Sequence, residues 1–170
     1  MARELHTQDV TAEPGRNALN ILLIRLAGFE KTRNPEISPK LYQEAVAIAR
    51  EMVQADPRGQ TKHVTLALSL APAGNHAEAS QIADKLLAGV SKVDAELLID
   101  MARVYSQCSA AAGLNESEAS AFRDRALECL SKAVAQEFRD PFYLTFHPDF
   151  APLQSAQPFL DLVKQLQLAK

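Results

Sequence analysis

Four histidines and two cysteines are the side chains of this sequence best suited to bind a metal or to act as nucleophiles. No two histidines stand four residues apart, and Cys108 and Cys129 lack the short spacing of a metal site. His147 and Asp149 could mimic an acid–base pair, but no nucleophile or phosphate-binding loop accompanies them. We therefore predict no catalytic residue, no cofactor and no metal site, and we expect both cysteines to be buried thiols.

The overall composition argues against two classes of partner. Of the 170 residues 23% are charged and the net charge is -3, so no strong positive field exists to attract nucleic acid or anionic lipid. No apolar run approaches the roughly 20 residues that span a bilayer, and the first residues are too polar for a secretion signal. Cysteines without a disulfide partner favour a reducing compartment, so we expect a cytoplasmic protein.

The elements that must position these side chains are helical. Apolar residues recur at steps of three and four, as in the amphipathic first helix, whereas no stretch alternates cleanly as a strand would. That first helix has its apolar residues at Leu19, Leu22, Leu23, Leu26 and Phe29. We predict an all-α fold with a flexible tail over residues 1–13 and helices over residues 14–32, 38–56, 60–71, 75–87, 94–108, 115–136 and 158–168.

Four of these helices start at a typical N-terminal signal. A side-chain oxygen at the N-cap accepts a hydrogen bond from the first turn, and a glutamate three residues later can complete a capping box. The signals are Ser38 followed by Pro39, Asn75 with Glu78, Asp94, and Asn115 with Glu118.

Two segments of the chain repeat each other. The segments "LYQEAVAIAREMVQADP" and "NHAEASQIADKLLAGVS" align Ala45 with Ala79 at an offset of 34 residues. A third copy, "DRALECLSKAVAQEF", aligns Ala126 with Ala79 at an offset of 47, which implies about 13 inserted residues. We place that insertion at residues 109–120. A small residue at these positions lets two helix backbones approach closely, where a larger one would overpack the crossing.

In its period and its small residues the sequence resembles the tetratricopeptide repeat family. The resemblance implies that Ala45, Ala79 and Ala126 lie where the second helix of each repeat crosses the first, opposite Ala67 and Ala102. The family's aromatic one turn later falls at Leu70 and Tyr105, its closing proline is Ser91 in the second copy, and its tryptophan is absent. The implied architecture is one domain, residues 14–170, forming a right-handed α-α superhelix. It comprises about three degenerate repeats (14–58, 59–92, 93–138) and a C-terminal helical cap (139–170). The alternative is an unrelated helical bundle, in which the alanines are simply good helix formers.

The C-terminal segment has a second resemblance, to the end of the repeat regions that follow bacterial serine/threonine protein kinase domains. Glu137 stands where a glycine is common, and His147 where an aspartate is common. The chain itself has neither the glycine-rich loop nor the catalytic loop of a kinase. The resemblance implies the C-terminal interaction region of a kinase-type signalling protein, although the segment also occurs in repeat proteins without a kinase. The matching residues are Phe138, Arg139, Asp140, Leu144, Pro148, Asp149, Phe150, Pro152, Leu153 and Phe159.

Stacked repeats present a groove lined by the first helix of each pair. The family's lysine, asparagine and arginine clamp for a peptide carboxylate is absent at the matching positions. We expect a non-catalytic scaffold or adaptor that binds a protein or peptide. The alternative is a small-molecule binder or enzyme using a pocket between the last repeat and the cap, and a third interpretation is self-association through the first or last helix. For Glu96, Asp100 and Arg103, a solvated helix face is the competing interpretation. The groove candidates are Thr61, Val64, Leu68, Glu96, Ile99, Arg103 and Gln107, with Arg25 as a weaker one.

Overall fold

Helices form all the regular secondary structure of residues 13–89 and 93–168, which are the residues that the computed structural model describes. The prediction of an all-α fold is therefore confirmed for these residues. Most of the predicted tail, and Ser91, lie outside the described residues, and Glu13 already belongs to the first helix. The elements are α1 (Glu13–Arg33), α2 (Ser38–Ala55), α3 (Gln60–Leu70), α4 (His76–Gly89), α5 (Ala95–Ser109), α6 (Glu116–Ala135), α7 (Pro141–Phe146), a 3₁₀ helix (Pro148–Leu153) and α8 (Gln157–Leu168).

The helices pack in the order of the chain. Helix α1 packs on α2, α3 on α4 and α5 on α6, and the three pairs fall within the ranges predicted for the three repeats. The first helices of the pairs also contact each other, α1 with α3 and α3 with α5, so they form one layer. The 3₁₀ helix packs on α5, and α8 contacts α6 and α7. Residues 139–168 therefore cover the end of the last pair as a cap.

The alanines predicted at helix crossings are fully buried. Ala45, Ala79 and Ala126 each expose 0% of their surface. At the α1–α2 crossing, the Asn20 side-chain nitrogen donates to the Ala45 carbonyl at 2.7 Å and to the Ser69 hydroxyl at 3.0 Å. A larger residue at position 45 would push these backbones apart and break both bonds. The small residues are thus needed for the close helix contact.

Two of the four predicted helix starts have the expected side-chain hydrogen bonds. The Asp94 carboxylate accepts from the Leu97 backbone N–H at 2.8 Å. Asn115 and Glu118 form a complete capping box, with each side chain accepting from the other residue's backbone N–H. These bonds satisfy N–H groups that the first turn of a helix cannot pair internally.

The other two starts lie where they were predicted, with α2 beginning at Ser38 and α4 at His76, but their side chains have other partners. The Glu78 carboxylate accepts from Arg50 of α2 at 2.7 Å, and the Asn75 N–H donates to the Leu70 carbonyl at 3.0 Å, so the predicted capping box does not form. Ser38 is already helical, and its hydroxyl donates to the Ala27 carbonyl of α1 at 2.8 Å. In both cases a tertiary contact with a neighbouring helix takes the side chain that the local pattern assigned to a cap.

The insertion in the third repeat lengthens two helices and does not form a long loop. Helix α5 has 15 residues where α3 has 11, and α6 has 20 where α4 has 14. The predicted location, residues 109–120, therefore contains the end of one helix and the start of the next. The additional turn of α5 contains Ser106 and Gln107, whose side chains contact the cap.

Candidate functional site

A groove of about 1490 Å³ follows the layer formed by α1, α3 and α5 and ends against α7 and the 3₁₀ helix. All the predicted candidates line it, together with Arg25. These are Thr61, Val64, Leu68, Glu96, Ile99, Arg103 and Gln107. The structure thus brings the candidates from α3 and α5 together on one surface. They differ in role, since some face the groove and others hold the cap.

The apolar candidates form the floor and two polar ones lie at the rim. Val64 and Ile99 are 9% and 6% exposed, and Leu68 is half-buried between them and solvent. Thr61 and Glu96 are exposed. For Glu96, exposure agrees with the solvated helix face that we weighed as its alternative.

Arg103 connects α5 to the cap. Its Nε donates to the Asp149 carboxylate at 2.8 Å and its Nη1 donates to Asp100 at 2.7 Å. All three side chains are about four-fifths buried, with 21%, 19% and 23% exposure. The interpretation of Asp100 and Arg103 as a solvated pair is therefore wrong, because the cap covers them.

The backbone of Asp149, like its side chain, is hydrogen-bonded to α5. Its carbonyl accepts from the Ser106 hydroxyl at 2.6 Å and from the Gln107 amide at 3.0 Å. Gln107 and Arg103 line the groove, but the Gln107 amide and the Arg103 Nε bind Asp149 of the 3₁₀ helix, and the Arg103 Nη1 binds Asp100 of α5. These two candidates therefore help to position the cap wall of the groove, whereas the apolar floor, Thr61 and Glu96 face the groove without holding the cap.

The Nδ1 atom of His147 lies 3.6 Å from the Asp149 carboxylate, which is longer than a hydrogen bond. The Nδ1 atom of His147 accepts from the Asp149 backbone N–H at 3.3 Å, which places the ring proton of the neutral imidazole on Nε2. Burial lowers the pKa of His147, and the positive charges of Arg103 and Arg25 lower it further, although Asp149 opposes them. The ring is therefore neutral at neutral pH and acts as the N-cap of the 3₁₀ helix.

Charged groups act across the gap between the cap and the α1–α2 pair. Burial raises the pKa of Tyr42, on α2, and the negative charge of Asp149 raises it further. Across the same gap Arg25, on α1, acts on His147. The Tyr42 hydroxyl also lies close to Gly28, where an added Cβ would meet it at 3.6 Å. Tyr42, Arg25 and His147 all line the groove.

The sequence analysis missed the aromatic side chains at the rim. Phe142 and Phe146 of α7 are 64% and 74% exposed and stack on each other with ring centres 6.3 Å apart. Phe29 of α1 is 57% exposed and also lines the groove. The four-residue spacing of Phe142 and Phe146 could have revealed a shared face, since the other face of α7 buries Leu144.

The cap extends the apolar core of the helix pairs. Leu144, Phe150 and Leu153 expose 0% of their surface and Phe159 exposes 1%. These are four of the residues that match the kinase-associated segment, so the match describes how the cap folds. Glu137, at the position where glycine is common, has φ of 69°, a conformation that favours glycine.

Metal binding and thiol chemistry find no support in the described residues. They contain no cluster of three or more histidine, cysteine, aspartate or glutamate side chains that could hold a metal ion. Cys108 and Cys129 are buried free thiols, as predicted. Burial raises the pKa of Cys108 to about 12 and that of Cys129 to about 11, so neither is a reactive thiolate at neutral pH.

Comparison with other proteins assigns neither a family nor a function to the chain. No family model, curated protein or solved structure matches the chain. The tetratricopeptide and kinase-associated resemblances therefore stay predictions that depend on the residues quoted for them. Among the described helices, none has the length and apolar character needed to cross a membrane.

Proposed function

We propose that this chain is a non-catalytic scaffold or adaptor that binds a segment of another protein in the groove. The observation that supports it is the continuous surface along α1, α3 and α5, with an apolar floor and exposed aromatic residues at its rim. Exposed aromatic side chains offer large contact areas at low entropic cost, and they are enriched in protein interfaces. The single-domain arrangement of about three tetratricopeptide-type repeats, in a cytoplasmic bacterial signalling protein of the kinase type, is part of the same proposal.

The size of the groove favours a polymer over a small molecule. Pockets for small molecules and cofactors enclose about 300–1,000 Å³, whereas this groove measures about 1490 Å³ and remains open along its length. The polar groups at its cap end, Arg103, Asp100 and Asp149, bind one another. They therefore offer little to a small substrate, which supports binding over catalysis.

A peptide selection with matched variants tests the proposal. Random 12-residue peptides displayed on phage are selected on the wild-type chain, and enriched peptides are measured by fluorescence anisotropy. Thr61→Trp fills the groove from an exposed position, and Gln81→Trp adds the same side chain at an exposed position on α4, which does not line the groove. We expect Thr61→Trp to weaken binding at least about tenfold, a loss of about 1.4 kcal/mol, with Gln81→Trp unchanged.

Two outcomes would contradict the proposal. Equal binding by both tryptophan variants would place the peptide site on another surface. The small-molecule alternative would be favoured by two results together. No peptide is enriched, and a compound from a metabolite library raises the melting temperature of the wild type but not that of Thr61→Trp.

A further inference from the structure

Helix α1 has two distinct apolar faces. One packs on the body of the protein through Asn20, Leu23 and Ala27, which expose 1%, 8% and 0% of their surface. A neighbouring face contains Leu22 and Leu26, which are 63% and 46% exposed. The apolar pattern seen in the sequence of α1 therefore only partly faces the core, and most of it is left in solvent.

The exposed face has the spacing of a coiled-coil seam. Leu19, Leu22, Leu26 and Phe29 follow one another at steps of three, four and three residues, which are the a and d positions of a heptad. An amphipathic helix uses the same spacing to pack on its own domain, but here Leu22, Leu26 and Phe29 face solvent. The register becomes useful when a second helix runs alongside, since each side chain then enters a hole between four residues of the partner.

Opposite charges flank this seam. Arg25 falls at a g position and Glu30 at the following e position, five residues later. In a parallel pair of identical helices, a g residue lies beside the e residue of the next heptad on the other helix. Arg25 of each copy would therefore meet Glu30 of the other, so that two ion pairs form by symmetry. An antiparallel pair would instead place like positions side by side, without this match.

We propose that a second copy of this chain covers the exposed face of α1, through a parallel two-fold pairing of the two α1 helices. The seam, defined here as Leu19, Leu22, Leu26 and Phe29, forms its apolar centre, and Arg25 with Glu30 fixes its direction. Leu19, Leu22 and Leu26 do not line the groove, whereas Arg25 and Phe29 do. The pairing therefore leaves the floor formed by Val64, Leu68 and Ile99 free but covers part of the rim. The inference therefore does not depend on the identity of a groove ligand.

The dimer is expected to be weak. From Leu19 to Phe29 the seam is about 15 Å long, or three turns, which gives an interface at the small end of the range for transient complexes. Two factors favour it nonetheless. Helix α1 is already folded on α2, so pairing does not have to order it, and the seam residues lose water on both sides. We expect a dissociation constant on the order of 10 µM.

Sedimentation velocity of the full chain, from about 1 to 300 µM around that value, tests the pairing. We expect the wild type to change from monomer to dimer over this range and Leu26→Glu to remain monomeric. Leu160→Glu on α8 is the matched control, because Leu160 is 45% exposed and Leu26 is 46% exposed. Both substitutions affect exposed residues, and circular dichroism confirms that both variants are folded. A wild type that remains monomeric at every concentration overturns the proposal, as does a dimer that Leu26→Glu leaves intact.

Charge exchange tests the direction of the pairing. Arg25→Glu and Glu30→Arg each place like charges opposite one another in a parallel dimer, so each alone is expected to weaken dimerisation about tenfold or more. The double variant, with both substitutions, restores two opposite-charge pairs and should recover dimerisation close to that of the wild type. A double variant weaker than either single variant contradicts the parallel arrangement.

Discussion

The two ends of this molecule differ in whether their apolar faces are buried. At the C-terminal end, the cap buries Leu144, Phe150 and Leu153 completely and pairs its polar groups with α5. At the amino-terminal end, α1 leaves Leu22 and Leu26 exposed. A stack of helix pairs exposes an apolar face at each end unless a further element covers it. Among residues 13–89 and 93–168, such a cover is present at the C-terminal end, and the exposed face of α1 is the surface that we expect to associate.

The difference extends to the polar groups. Near the cap, the Arg103–Asp149 ion pair is about four-fifths buried and supported by further hydrogen bonds. Near α1, the Arg16–Glu51 pair is separated by 3.9 Å, and the Glu51 side chain is 62% exposed. Desolvated, well-formed pairs are costly to break, whereas exposed ones contribute little. The first two predictions below test this contrast between the two ends and the others test the cap itself, in order of decreasing effect.

Two leucine-to-alanine substitutions, one at each end of the molecule, are expected to give the largest difference in stability. Leu153→Ala should reduce the free energy of unfolding by about 2–5 kcal/mol, because it leaves a cavity in the cap core. Leu22→Ala should change it by about 0.5 kcal/mol or less, because Leu22 is 63% exposed and Leu153 is 0% exposed. Urea titrations followed by circular dichroism measure both, at a concentration well below that of dimerisation. Similar values for the two variants would mean that the cap is not a cooperative part of the fold.

A pair of charge-neutralising substitutions should give a smaller contrast. Asp149→Asn removes the carboxylate from Arg103 but keeps the backbone bonds to Ser106 and Gln107, so we expect a loss of about 1–2 kcal/mol. Glu51→Gln at the α1 end should cost about 0.5 kcal/mol or less. The same urea titrations measure these losses. An Asp149→Asn variant as stable as the wild type would show that Arg103 needs only Asp100 as its partner.

Glu137→Gly should stabilise the junction between α6 and the cap. Glu137 has φ of 69°, and the Phe138 N–H donates to the Ala133 carbonyl at 3.0 Å, as in a helix end that favours glycine. Glycine removes the strain but makes the unfolded chain more flexible, so we expect a net gain of about 0.5–1 kcal/mol. Thermal unfolding should show a higher melting temperature than for the wild type. Glu137→Ala, which keeps the strained conformation, is the control that should show no such gain.

Acidification should have the smallest effect on stability, because the protonation of His147 and that of Asp100 act in opposite directions. Burial lowers the pKa of His147 in the folded state, so its contribution to stability is present above the ordinary pKa near 6.5 and is lost as the pH falls. Burial raises the pKa of Asp100, despite its ion pair with Arg103, so protonation of Asp100 at lower pH favours the folded state. We expect amide hydrogen exchange in the cap to accelerate modestly from pH 7 to 5, after correction for intrinsic rates.

His147→Asn tests the origin of that acid effect. The amide oxygen can cap the 3₁₀ helix as the imidazole nitrogen does, and it does not titrate. The corrected exchange rates of the cap in this variant should therefore not rise from pH 7 to 5, because only the opposing effect of Asp100 remains. Equal acceleration in the wild type and the variant would assign the effect to other groups.

The sequence determined the helices and part of the groove surface. Periodicity and start signals placed seven helices within a few residues, and repeat alignment placed Thr61, Val64, Leu68, Glu96 and Ile99 on one surface. These features depend on spacing along a single helix and on the offset between repeats, both of which are visible in a linear chain. The burial of the crossing alanines also followed from their alignment.

The tertiary structure decided which partner each polar or apolar side chain takes. Ser38 and Glu78 carry cap-forming groups, yet each binds a neighbouring helix, and Arg103 and Gln107 bind a cap that is more than 40 residues away in sequence. The sequence of α1 shows one apolar pattern, but only packing determines that Leu23 is buried while Leu22 remains exposed. Local spacing fixes where a side chain points from its own helix, whereas the partner on that side depends on contacts between distant segments.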